Sequence, residues 1–366
     1  MNSIKSFIFL LTAWIIGIIF IILFFEIVLK IFSKNSPWDA TNKLNIIRNS
    51  EINYKLKDLY PSEKKEIKYI RNKFGLRDNC DKPKSIEILS IGGSTVDQRY
   101  LELEETFQFV LQNLISKKLN RKVCVSNAGV DGHSTFGHIE SFNSWFPLIE
   151  NLKPKIVLVY IGVNDANFIR MGPNIGYEAP NNESIKGLLK KMELAKTLLP
   201  LYRIIKDRFQ NKGIKYAKHE NKVYKNSEYE VDELNSLTIE KAKKNANLFK
   251  KRKIKLLQNI ESQFGAVPVC ITQPHKYVKK INGKKRGIKN VLGEGFSGLD
   301  FDYSLNLLNE IILDLCKEDK TIDLYNMTFD EKYFYDGMHT NPEGSNLIGR
   351  LIYKEILRKK IINKNF

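Results

Sequence analysis

The sequence predicts an α/β fold: a flavodoxin-like, three-layer α/β/α arrangement around a five-stranded parallel sheet, with an N-terminal transmembrane helix ahead of it. Three observations predict it. Apolar, strand-like runs alternate with helically periodic segments from residue 86 onward, the pattern of a parallel sheet covered on both faces. Four polar islands, at 92–95, 127–132, 162–165 and 336–339, each follow such a run; residues just beyond parallel strands share one sheet edge, so these islands can converge there. At the amino terminus, Phe7 through Phe25 holds no charged residue, about the ~20 residues with which a helix crosses a bilayer.

Residues 1–35 read as an uncleaved anchor, because Phe24-Phe25-Glu26-Ile27 lacks the small residues of a signal-peptide cleavage site. Residues 36–84 mix charges with Pro37, Pro61 and Pro83 and show little apolar periodicity, as a juxtamembrane linker or an irregular approach to the core would. The main domain follows, over 85–366. Ile86 to Ile91 forms its first strand, and a helix runs from Glu105 to about Leu119. Lys122 to Ser126 is the second strand; His138 to Leu152 then carries Ile139, Phe142, Trp145, Phe146 and Ile149 at helical spacing. Pro154 turns the chain into Lys155 to Ile161, a continuous apolar run typical of a central parallel strand.

An insertion is expected at about 166–264. Its polar clusters and the Gly172-Pro173-Asn174 turn make an interval too long for a simple connection, and a basic helix from about Leu237 to Phe264 closes it. Val267 to Thr272 is the fourth strand, followed by a Gly- and Lys-rich loop from Lys279 to Gly298, a helix around Leu305 to Cys316 and a fifth strand at Thr321 to Tyr325. Asn341-Pro342-Glu343 opens the closing helix, with Asn as cap and Pro in the first turn.

The net charge of +18 on 366 residues suits anionic partners such as phospholipid headgroups or acidic glycans. Lys, Asn and Ile are abundant throughout, so the charge reads as a compositional habit, and no nucleic-acid-binding motif accompanies it. The cations between Lys241 and Lys255 read as a solvated helix face, with contact to an anionic glycan or lipid as the alternative. Cys80, Cys124, Cys270 and Cys316 form no Cys-x-x-Cys pair and have no histidine at metal spacing. No metal or cofactor is therefore expected. Cys124 and Cys270 sit in apolar runs as small buried hydrophobes would, and a Cys80–Cys316 disulfide stays open.

The islands also carry chemistry. Ser94, after two glycines, can project its hydroxyl from a tight turn. A serine hydroxyl needs a base, for which His339 is the candidate, and Asp336 three residues earlier can hold its Nδ1. Asn164, by its side-chain amide, and the backbone N–H groups of Gly132 and Ser94 can serve as oxyanion donors. His133 and His275 lie on the same edge; His133 reads as a capping or surface residue with substrate contact as the alternative, and for His275 pocket lining is likewise an alternative only, while His138 and His219 carry no functional argument.

On the blocks Ile91-Gly92-Gly93-Ser94-Thr95, Asn127 to Gly132, Gly162-Val163-Asn164-Asp165 and Asp336-Gly337-Met338-His339, the chain resembles the SGNH hydrolases, or GDSL-like esterases and lipases. The resemblance covers roughly 85–165 and 266–360. It implies Ser94 as nucleophile, His339 as base, Asp336 as its partner, and Gly132 and Asn164 as oxyanion donors. Gly93 departs from the family's usual Gly-Asp-Ser. The implied activity is that of a serine esterase acting on O-acyl, foremost O-acetyl, groups of a glycan or lipid. An acyltransferase using the same residues, or a non-catalytic glycan- or lipid-binding protein, are the alternatives. Four flanking cations, Lys30, Lys34, Lys43 and Arg48, against Lys5 would leave the domain in the cytoplasm; the resemblance favours the opposite side.

Overall fold

The computed structural model describes residues 2–32, 36–171, 219–291, 293–362 and 366. The chain divides into two units, residues 1–39 with 179–218, and residues 40–178 with 219–366. In the first, helix α1 (Asn2–Phe32) contains a stretch, Phe9–Leu29, long and apolar enough to cross a membrane. Its large side chains are exposed, Phe9 and Trp14 at 74% and 71%, so no protein core among the described residues takes up its apolar surface.

The second unit holds a five-stranded parallel sheet of β3 (Ile86–Gly92), β4 (Cys124–Asn127), β5 (Ile156–Tyr160), β6 (Val267–Ile271) and β9 (Thr321–Ile322), ordered β4-β3-β5-β6-β9. That is the flavodoxin order, in which the chain first steps one way from β3 and then the other. Alternation of side chains feeds two cores. Ile88, Leu158, Val269 and Ile271 face one cluster with α3 (Phe107–Leu119) and α8 (Pro342–Arg358), while Cys270 faces another with α6 (Ser236–Phe264) and α7 (Gly298–Leu315). α3 and α8 touch closely at Gly349, where a Cβ would come within 2.9 Å of the Phe107 carbonyl.

Three further helices rise from the sheet's carboxyl edge: α2 (Ser94–Asp97), α4 (Thr135–Ser144) and α5 (Val163–Met171). α4 is shorter than the expected 138–152 element, giving way to a 3₁₀ turn at Phe146–Leu148 because Pro147 removes a backbone donor and clashes with the preceding turn. β9 is shorter than expected as well. Past Ile322 the Tyr325 N–H donates to Thr272 Oγ1 at 3.0 Å, a side chain replacing the ladder. The anticipated Gly- and Lys-rich loop contains a hairpin, β7 (Val278–Ile281) and β8 (Lys284–Gly287), turned by Asn282 and Gly283 at φ 50° and 80°. Asn-Gly between two strand-compatible runs signals such a turn. Of the expected insertion, residues 172–218 lie outside the described residues; α6 is as read.

Residues 41–76 are no linker: β1 (Ser50–Lys55) and β2 (Glu66–Arg71) form an antiparallel hairpin, and Leu56, Leu59, Tyr60, Ile67 and Tyr69 build a small core with Leu101 and Tyr335. Proline and charge are compatible with a two-stranded edge whose outer face is wet. The cysteines pair as Cys80–Cys124 and Cys270–Cys316, with Cα atoms 5.8 and 6.3 Å apart. Cys124 and Cys270 are buried, as expected, but bonded: Cys316 caps α7 directly over β6.

Candidate active site

The loops after β3 and β5 leave adjacent strands and diverge, forming the crevice where an open parallel sheet takes ligands. Ser94 opens α2 there, with Gly93 as its cap. Both preceding glycines are needed for close approach. A Cβ on Gly92 would stand 2.4 Å from the Tyr160 carbonyl, and one on Gly93 would stand 2.4 Å from Asn164 Nδ2. The Asn164 amide occupies the space that a side chain at 93 would take.

Ser94 Oγ lies 2.8 Å from His339 Nε2, and His339 Nδ1 lies 2.7 Å from Asp336 Oδ2. A carboxylate only accepts, so Nδ1 carries the hydrogen and Nε2 accepts from the serine. Asp336 Oδ1 accepts the backbone N–H groups of Met338 and His339 at 2.8 and 2.7 Å. Burial would raise Asp336, but the facing His339 and these hydrogen bonds outweigh it and hold the carboxyl below its ordinary value. It stays ionised and fixes the imidazole tautomer.

Asn164 donates one amide hydrogen to the His133 carbonyl at 2.8 Å, which orients the second toward other acceptors. Gly132, at φ 76°, directly precedes His133. The cleft is lined by Ser94, Thr95, His133, Gly162, Asn164 and Gln273 among others; Gly132 stands one residue behind that lining. The arrangement can pass a proton from a serine hydroxyl to an imidazole and offer amide hydrogens to an oxygen beside it.

Several residues that no sequence motif marks hold these parts. Gln273 Oε1 accepts the Val163 N–H at 2.7 Å and its Nε2 donates to Thr95 Oγ1 at 2.8 Å, bracing the turn of Ser94 against the loop of Asn164. Asp97 is buried in an ion pair with Arg71, whose guanidinium also donates to the Gly129 carbonyl at 2.5 Å. Arg77 donates to the carbonyls of Asp97 and Gln98 at 3.0 and 2.8 Å. Beneath the Asn164 loop, Asp165 accepts from the backbone N–H of Thr135 at 3.1 Å and from its hydroxyl. Burial pushes Asp165 up to about 6, against those bonds. From α6, Lys253 is completely buried, its Nζ without a hydrogen-bond partner among the described residues. Burial pushes it down to about 7, with Asp165 opposing.

The histidines differ from expectation. His133 turns its Nε2 to the Leu44 carbonyl at 2.7 Å, inside the protein, so its carbonyl, not its ring, serves the cleft. His275 is no pocket lining: Nδ1 accepts the Tyr277 N–H at 3.2 Å and Nε2–H donates to Asp302 at 3.0 Å. It fastens the β7–β8 hairpin to α7, with Lys285 on the same carboxylate. His219 enters the site. Its ring centroid lies 4.1 Å from that of His339, and its Nδ1 lies 2.7 Å from the Tyr335 hydroxyl. Burial and then the neighbouring His339 push His219 down to about 2, so it is neutral. No motif surrounds it, and a lone loop histidine gave no signal.

A family model described as GDSL-like Lipase/Acylhydrolase matches residues 68–352. Among solved structures, a lipase from goat rumen metagenome is 13% identical with a TM-score of 0.43, covering 74% of this chain and 97% of that one. An acetylxylan esterase mutant from Geobacillus stearothermophilus is 9% identical with a TM-score of 0.40, covering 74% and 93%. The lipase/acylhydrolase from Enterococcus faecalis is 15% identical with a TM-score of 0.38, covering 74% and 95%. No curated protein gives a significant match.

Proposed function

Since the chain belongs to the GDSL-like lipase/acylhydrolase family, and with it to the carboxylic ester hydrolases, we propose that it is a membrane-anchored serine esterase in which Ser94, His339 and Asp336 form the catalytic triad. The observation that carries this reading is the continuous relay Ser94–His339–Asp336, with contacts of 2.8 and 2.7 Å. Ser94 Oγ attacks the ester carbonyl while its proton passes to His339 Nε2. Collapse of the tetrahedral adduct breaks the bond to the alcohol oxygen, which takes that proton and leaves. Water then attacks the acyl-Ser94 ester, gives a proton to His339, and the carboxylic acid departs as Ser94 recovers it. Asp336 keeps the imidazole oriented throughout. The developing oxyanion is held by the Asn164 amide and the N–H groups of Gly132 and Ser94.

The substrate is an O-acyl, foremost O-acetyl, ester of a glycan or lipid. Residues 1–35 are the anchor, and the domain faces an oxidising compartment. Two disulfides support that side of the membrane, since such bonds persist where thiols are not kept reduced.

The test is Ser94→Ala in the full-length protein, assayed with p-nitrophenyl acetate and labelled with a fluorophosphonate. Loss of at least about 10⁴-fold in kcat is expected, together with loss of labelling. Undiminished turnover in that variant would rule the assignment out.

A further inference from the structure

His219, Asp336 and His339 each offer one donor atom, and the three atoms lie within 4.8 Å of one another. Asp336 and His339 arrive together on the last loop; His219 comes from a distant segment, and its contacts with the loop are specific. Its ring lies over His339 at 4.1 Å between centroids with a tilt of 31°. The Lys222 N–H donates to the Tyr335 carbonyl at 2.7 Å, and the Tyr335 N–H to the His339 carbonyl at 3.0 Å, so backbone bonds hold the segment next to His219 against the loop.

A metal-binding histidine engages its second ring nitrogen with an outer partner that sets tautomer and orientation. His219 has that partner: Nδ1 faces the hydroxyl of the buried Tyr335 at 2.7 Å, leaving Nε2 for an ion. Two imidazoles and a carboxylate are the donor set that zinc takes, with a water or hydroxyl oxygen in the fourth place. Calcium and magnesium prefer oxygen donors throughout. We infer that His219, Asp336 and His339 form a binding site for a divalent transition cation of the zinc type, and that its occupation switches the esterase off.

The sign of the effect follows from His339. Its Nδ1 is engaged by Asp336 and its Nε2 by Ser94, so an ion at either nitrogen removes one of the two bonds. Without the first the ring loses its orienting acid; without the second Ser94 loses its base. The ion is therefore an inhibitor and takes no part in turnover. Inhibition rests on the reading of His339 as general base, whereas binding does not.

Two measurements on the full-length protein in detergent separate these. Zinc binding is followed by isothermal titration of the Ser94→Ala variant, and inhibition by zinc titration of p-nitrophenyl acetate hydrolysis in the wild type. One saturable site is expected, with at least a tenfold loss of rate at saturation, recovery on adding a chelator, and no effect of magnesium. His219→Ala should move the inhibition midpoint at least tenfold higher relative to its own zinc-free rate, and His219→Gln, which keeps a polar group beside Tyr335, should do the same if alanine disturbs folding. Absence of saturable zinc binding overturns the proposal, as does a midpoint that both substitutions leave in place. A wild type inactive without zinc that still binds it through His219 overturns the esterase reading and leaves the metal site standing.

Discussion

Gly93 and Asn164 compete for one volume: with 2.4 Å between a Gly93 Cβ and Asn164 Nδ2, any side chain at 93 moves the amide. Gly93→Ala is expected to lower kcat by about 10²-fold, the usual cost of one lost oxyanion donor, with a much smaller change in the thermal midpoint; steady-state kinetics beside a melting curve checks it. At this scale the sequence was legible wherever a motif carries its own geometry. Asp336 and His339 are three residues apart, so a local turn suffices to pair them, and Ser94 sits in a glycine turn. Gln273 and His219 were illegible because each acts by meeting a residue far away in the chain, and neither has a neighbourhood that marks it.

Among the elements, α6 does more than cover the sheet. It carries Lys253 into a buried cluster beneath the Asn164 loop, where Asp165 is the charge that favours its protonation. Burial holds Lys253 at about 7 in the folded protein against 10.5 ordinarily, so between those values unfolding takes up a proton. Stability contributed by this group therefore rises with pH from about 7 towards 10. Urea midpoints of the wild type and Lys253→Met, measured at pH 7 and pH 9.5, should show a rise in the former that the latter lacks; equal slopes would remove Lys253 from the account. Element type was readable from periodicity for α6, α8 and β5, whose patterns are long or wholly apolar. Hairpin β7–β8 was not read, since Lys284-Lys285-Arg286 is cationic and only its Asn-Gly turn reveals it.

For the whole molecule, the parallel order of the sheet was inferable from strand–helix alternation, whereas cysteine pairing was not, because it depends on which strand lies under which helix. The disulfides span sequence separations of 44 and 46 residues, and loops of that size stabilise by about 4 kcal/mol each on chain-entropy grounds. Alkylation of the native protein should label no cysteine before reduction and four after it, and reduction should lower the melting temperature. Labelling without reduction would place the domain in a reducing compartment. The hairpin of residues 50–71 and its lead-in have a practical consequence for anyone dissecting this protein. Leu44 receives His133, Tyr60 packs near Tyr335, and Ser50–Lys55 pairs with the strand that carries Arg71, yet the family match begins only at residue 68. A fragment trimmed to where likeness starts would strip the floor from under both sides of the cleft and fail for reasons unrelated to catalysis. The sound place to cut is ahead of Thr41, where burial begins.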